Sequence, residues 1–233
     1  MENRWIDRRS ALRLGLCAGA GLLPLGVAAN ARAAKKPGKK NEEVSATEDL
    51  MREHGALVRL LLIYRESANR LKAGGDLRVK ALEQAAGIIR RFVEGYHEKI
   101  EERFVFPRFE KSPDLGELVR VLKVQHDMGR KVTDRILALV KTDLGADGRT
   151  EAAQLIASFE RMYYPHLAWE DTILFPAYHA SMSEKEFDKM GDRFEDMEHE
   201  TLGAGGFEST LADIAGLEKE LGIYDISRFT PRE

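Results

Sequence analysis

The chain has one cysteine in 233 residues, so no disulfide can form within it and no thiolate-based zinc or iron–sulfur site can be built. It has no excess of basic residues, since 36 Lys and Arg stand against 39 Asp and Glu, for a formal charge of −3. Without a basic face, a nucleic-acid partner is not expected. No apolar run reaches the ~20 residues of a membrane-spanning helix. The nearest, Leu14 to Ala29, is short and rich in Gly and Ala. Runs of β-branched residues are scarce, which argues against a sheet and for an all-α fold. The His-Glu-x-x-His pattern of zinc proteases is also missing.

The first 33 residues read as a targeting segment. Arg8-Arg9-Ser10-Ala11-Leu12-Arg13 is a twin-arginine start, and Ala31-Arg32-Ala33 closes the apolar run with small residues suited to cleavage. Export to the periplasm or another extracytoplasmic space is expected, with no stable membrane insertion after processing. Residues 1–33 hold five Arg and two acids, so their removal leaves 31 basic and 37 acidic residues, a charge of −6 and no cysteine. Residues 34–44, with Lys35-Lys36-Pro37-Gly38-Lys39-Lys40, read as a solvated basic linker.

What the chain does have is one pattern written twice. His97 is followed by Glu101, Glu102 and Phe106-Pro107; His166 is followed by Glu170, Asp171 and Phe175-Pro176, at the same intervals. On a helix, positions i and i+4 lie about 40° apart on one face, so each copy aims an imidazole and a carboxylate at one place. Two other His, His54 and His126, fall on apolar stripes of their own. Ser45 and Glu48 form a possible capping box for a first helix carrying Leu50, His54, Leu57, Leu60 and Leu61, ended by Gly74-Gly75. Asp76 is placed to cap a second, with Leu82, Ile89, Val93, His97 and Glu101, which Pro107 stops. Ser112-Pro113-Asp114 predicts the start of a third, with Val119, Leu122, His126, Thr133 and Ile136. Thr150-Glu151 predicts the start of a fourth, with Leu155, Phe159, Met162, His166, Glu170 and Ile173, and with a kink at Pro165.

Four helices joined by short loops predict an up-down-up-down bundle over residues 45–180. The intervals His54 to His97 and His126 to His166 are 43 and 40 residues, so two similar hairpins should be related by a pseudo-two-fold axis. A helical extension over 181–233 follows, with a capping box at Ser183 and Glu186 and a last helix from Ser209 to Gly222. His179 and His199 lie outside the stripes and are expected at the surface. Phe104, Phe106, Tyr163, Tyr164, Trp169 and Phe175 are expected in the core. Glu102 and Asp171 are placed either to orient imidazoles or to face solvent.

Burying two acids in an apolar bundle without a cation would cost about several kcal/mol each, and a pair of divalent ions removes that cost. Imidazole and carboxylate without thiolate suit non-haem iron, and less often manganese or zinc. The doubled motif with a lone His on each alternate helix resembles the hemerythrin-like, or HHE cation-binding, domains over roughly Glu48 to Tyr178. The resemblance implies a four-helix bundle holding two non-haem iron ions with an oxo or hydroxo bridge. His54, His97, His126 and His166 would then be terminal ligands, and Glu101 and Glu170 bridging carboxylates.

Two departures from the invertebrate oxygen carrier stand out. Arg130 occupies the position of a second third-helix His, and Glu170 lies four residues after its His, with Asp171 at the fifth position where the carrier has its acid. Glu98 resembles an extra acidic ligand found in an HHE subclass. With Glu98 bound once, one of the twelve positions around two six-coordinate irons stays open for dioxygen, peroxide or nitric oxide. The leading expectation is a non-enzymatic protein that binds or senses such a ligand. A di-iron oxidoreductase (peroxidase, catalase-like or nitric-oxide-handling) comes second, and iron storage third.

Overall fold

The computed structural model describes residues 44–73, 79–142, 144–203 and 205–231. The targeting segment, the basic linker, Gly74-Gly75 and Asp76 lie outside the described residues. No helix among those described is long and apolar enough to cross a membrane.

The first bundle helix, α1, runs Ala46–Lys72, with Ser45 and Glu48 forming the expected reciprocal cap. The second is composite. The α-helix α2 (Val79–Ile88) passes into a π-helix over Ile89–His97, a short α stretch α3 (Glu98–Ile100), a second π-helix over Glu101–Val105 and a 3-10 turn over Phe106–Arg108. The third, α4 (Gly116–Val140), starts later than Ser112-Pro113-Asp114 suggests. The Ser112 hydroxyl instead accepts from Asp114 N–H and Leu115 N–H, closing a turn that precedes the helix. The fourth, α5 (Ala146–Trp169), starts four residues before Thr150. It runs helical through Pro165, continues as a π-helix over Glu170–Leu174 and ends as α6 (Phe175–Ala180). Pro176 therefore does not end its helix as Pro107 does; it sits in the first turn of α6, directly after the π-helix.

Contacts join α1 to α2, α2 to α4, α4 to α5 and α5 to α1, closing the bundle into a ring. The predicted stripes are its core: Leu50, Leu57, Leu60, Leu61, Leu82, Ile89, Val93, Val119, Leu122, Ile136 and Phe159 are all buried. The C-terminal α7 (Glu184–Leu202) and α8 (Gly206–Leu221) pack on α1 and on the second helix. They bring Phe194 against Phe104 and Phe207 against Phe92, with ring centroids 5.7 and 5.8 Å apart. Arg59 of α1 makes a two-pronged pair with Glu218 of α8 at 2.9 and 2.6 Å. The last helix starts at Gly206, three residues before Ser209. Gly206 has φ +40, and a Cβ there would overlap Glu198, whose carboxylate accepts from Phe207 N–H at 2.7 Å.

Candidate metal centre

Two stretches of π-helix organise the site, and sequence periodicity did not reveal them. Each begins at the motif Glu and ends before the motif Phe. The carbonyl of Glu101 accepts from Phe106 N–H and that of Glu170 from Phe175 N–H, five residues on in both copies. A proline cannot donate to the carbonyl four residues back and its ring crowds that turn, so the wider winding relieves the helix just ahead of Pro107 and Pro176. It also sets the rings of Phe106 and Phe175, both fully buried, against imidazoles of the opposite hairpin. Phe106 lies 5.2 Å from His126 and Phe175 lies 5.3 Å from His54, centroid to centroid.

The six residues of the doubled pattern converge. His54, His97, His126, His166, Glu101 and Glu170 are all buried, the two carboxylates completely. His54 and His97 of the first hairpin gather with Glu101; His126 and His166 of the second gather with Glu101 and Glu170. The Nε2 atoms point inward. That of His54 lies 3.8 Å from Glu101 and 3.5 Å from Glu170. Those of His97 and His126 lie 3.6 and 3.4 Å from Glu101, and that of His166 lies 3.1 Å from Glu170. Both oxygens of Glu101, both of Glu170 and the His54 Nε2 have no hydrogen-bond partner.

The outward Nδ1 atoms are all held, in a pattern that repeats between the hairpins. His54 Nδ1 meets Asp171 at 2.7 Å and His126 Nδ1 meets Glu102 at 3.2 Å, so the acid after each motif Glu orients the lone His of the other hairpin. His97 Nδ1 meets Glu53 at 2.6 Å and His166 Nδ1 meets the Gln125 side-chain oxygen at 2.9 Å. No spacing rule singles out Glu53 and Gln125, yet each directly precedes a lone His. The repeat of that position was the available signal.

Glu98 has a different setting. It is completely buried, accepts from the Tyr163 hydroxyl at 2.7 Å and lies 2.9 Å from the Arg130 guanidinium. Arg130 is also hydrogen-bonded to Glu102. An oxygen of Glu98 gathers with His126 and Glu102. Gly129 makes this possible, because a methyl there would overlap the Tyr163 hydroxyl. In the second copy the matching residue is Leu167. Trp169, expected in the core, is 43% exposed, and Phe104 and Tyr164 are only partly buried. His179 and His199 are at the surface, as expected.

Burial and neighbouring charge move the groups of the centre in opposite directions. Burial pushes the Glu170 carboxyl up, and the charge of Glu101 adds to it, reaching about 8. Burial lowers His97 and His126, but the Glu101 and Glu53 carboxylates lift the first to about 9, and Glu98, Glu101 and Glu102 lift the second to about 10. His54 is raised against its burial by Asp171 and Glu101. His166 is held well below the usual range by burial and the charge of His126. Glu101 stays well below the usual carboxylate range despite burial, through His97 and His126. Inward imidazoles around orphaned carboxylate oxygens are a donor set that divalent metal ions satisfy.

The fold and this cluster define a metal-binding helical bundle. Residues 45–178 match the family model of the hemerythrin HHE cation-binding domain, and the chain belongs to that family. It is similar to uncharacterized proteins of Mycobacterium bovis and of the CDC 1551 / Oshkosh and H37Rv strains of Mycobacterium tuberculosis. Each is 48% identical over 190 residues, covering 81% of this chain and 74% of the relative. No solved structure matches the chain.

Proposed function

We propose that the chain holds two non-haem iron ions and binds or senses dioxygen or a related small molecule such as peroxide or nitric oxide. The observation that carries this is the set of four orphaned oxygens of Glu101 and Glu170, fully buried between two imidazole pairs. One metal would take His54 and His97, the other His126 and His166, with both carboxylates shared. The bound pair would supply electron transfer to and from the small ligand. Phe106 and Phe175 keep water from the imidazoles, and the Nδ1 partners hold the rings in place.

The two halves are not equivalent. Both imidazoles of the first half-site are backed by carboxylates; in the second, His166 is backed by a neutral amide and Glu102 is shared with Arg130. A carboxylate partner makes an imidazole the stronger donor. The first iron position therefore favours the ferric state more, and ligand uptake belongs to the second, on the side of Glu98. There Glu98 enters the ligand set only if it releases Arg130 or Tyr163.

A second reading, peroxide turnover, is favoured by one observation. Tyr163 and Arg130 place a hydroxyl and a guanidinium on Glu98 beside His126, groups suited to donating hydrogen bonds to a polar ligand. Optical spectra of the reduced protein before and after oxygen, then peroxide, separate the readings. A reversible charge-transfer band supports binding, many turnovers support the oxidoreductase, and no spectral response to either contradicts both. Export in folded form through Arg8-Arg9 is proposed with it; Arg8→Lys with Arg9→Lys should leave the protein in the cytoplasm.

A further inference from the structure

We infer that Glu94 is a positioning residue for Glu98: when Glu98 turns to the second iron position, Glu94 takes its place as partner of the Arg130 guanidinium. This rests on the reading of the centre given above and deepens it, because Glu98 becomes a ligand only by giving up a group that holds it.

Glu94 lies one turn before Glu98 on the second helix and is only 2% exposed. The position three residues before each motif His holds Glu94 in the first copy and Tyr163 in the second. Tyr163 already holds Glu98, whereas Glu94 is unused by the centre. Arg90 Nη1 stands 2.6 Å from Glu94 but out of line for a hydrogen bond, and neither Glu94 oxygen has a hydrogen-bond partner. The other terminal nitrogen of Arg90 donates to the backbone carbonyl of Arg130 at 3.2 Å and also to the exposed Asp134. One guanidinium therefore spans the gap between the Glu94 carboxylate and the backbone of Arg130.

The hold of Arg130 on Glu98 is equally loose. Its Nη2 lies 2.9 Å from Glu98 Oε2, which still lacks a hydrogen bond, and its Nε is buried with no partner. Tyr163, by contrast, makes a full hydrogen bond to Glu98 Oε1 at 2.7 Å. Arg130 is thus the group that lets go. A guanidinium left half-buried without its carboxylate is costly. Two orphaned acceptors on Glu94 and an orphaned donor on Arg130, one helical turn from the present pair, are what an exchange of partners requires. Glu94 thereby sets the state of the second position. With the exchange made, Glu98 adds a negative ligand that favours the ferric state; with Arg130 on Glu98, the position stays open to an incoming small molecule.

The test uses four iron-loaded full chains: wild type, Glu94→Gln, Glu98→Gln and the double variant. Iron is counted in each, and the reduction potential of the centre is measured by optical titration. Glu94→Gln should leave Arg130 on Glu98 and raise the potential by about 60 mV, a tenfold change in a one-electron equilibrium. Glu98→Gln should raise it at least as much, and the double variant should match Glu98→Gln alone, since Glu94 acts only through Glu98. A rise from Glu94→Gln that persists in the Glu98→Gln background is lost charge acting directly and overturns the exchange. No change in Glu94→Gln while Glu98→Gln raises the potential also overturns it, leaving Glu98 a ligand that needs no help. No change in either removes Glu98 from the ligand set and the exchange with it. Glu94→Asp keeps the charge but draws it back, so it should raise the potential too, and it carries the same cycle if Glu94→Gln does not fold. Fewer than two irons in wild type is a different failure, which overturns the dinuclear reading and whatever rests on it.

Discussion

At the scale of single residues, the centre is defined by what each of its polar atoms touches. Glu101 and Glu170 have no partner but the imidazoles, so Glu101→Gln and Glu170→Gln should each bring retained metal below one ion per chain, measured by elemental analysis after desalting. Asp171 acts one bond further out. Asp171→Asn should leave the metal in place but lower its affinity about 10- to 100-fold, read by competition with a chelator. Gln125→Glu would give His166 the carboxylate that His97 already has, and the Mössbauer signals of the two irons should move closer together. Much of this was legible in the chain. His54, His97, His126 and His166 stood on apolar stripes with Glu101 and Glu170 one turn after two of them. Glu53 and Gln125 were not legible, because a polar residue before a lone His looks like an ordinary surface position until the other helix of its own hairpin is in place. The setting of Glu98 was hidden as well, since nothing in the spacing tells that Arg130 and Tyr163 converge on it.

At the scale of elements, the doubled motif is a device for inserting a π-helix at the ligand. The intervals between His, Glu and Phe-Pro were visible, but their meaning as a winding change was not, because apolar periodicity over five residues cannot separate i+4 from i+5 hydrogen bonds. Thr150 and Ser209 lie inside their helices, and Ser112 stands four residues before its own. In each case a capping-type residue stood near the true end and tertiary packing set the boundary. Gly129 shows how one element admits another. Gly129→Ala forces Tyr163 off Glu98, and overpacking of this kind costs about 1–3 kcal/mol. A lower melting temperature with undiminished iron content is the expected result; an unchanged melt would mean that α4 and α5 shift freely.

At the scale of the molecule, the C-terminal helices complete the domain. Phe187, Phe194, Phe207, Leu217 and Leu221 are buried on α7 and α8, and each such side chain contributes about 1.5–3 kcal/mol by burial. A chain ending at residue 182 should therefore melt without cooperativity and bind a hydrophobic dye. The centre ties stability to pH as well. In the metal-free protein, His97 near 9, His126 near 10 and Glu170 near 8 hold protons that the unfolded chain gives up sooner. Stability should then fall as pH rises, from about 4.5 to 8 through Glu170 and from about 6.5 to 10 through the two His. On the acid side, His166, Glu101 and Glu102, the last near 2, are lowered, so stability is lost as pH falls below about 6.5 and further below 4.5. Bound cations replace the protons, so the alkaline loss should vanish in the metal-loaded protein, as thermal melts at pH 6.5 and 9.5 would show.

The central claim is that two cations occupy one buried centre, and counting iron per chain tests it most directly. Protein reconstituted with iron-57 and desalted should retain two irons, seen by Mössbauer spectroscopy as a magnetically coupled pair of unequal sites. One iron per chain, or two that show no coupling, would contradict the account.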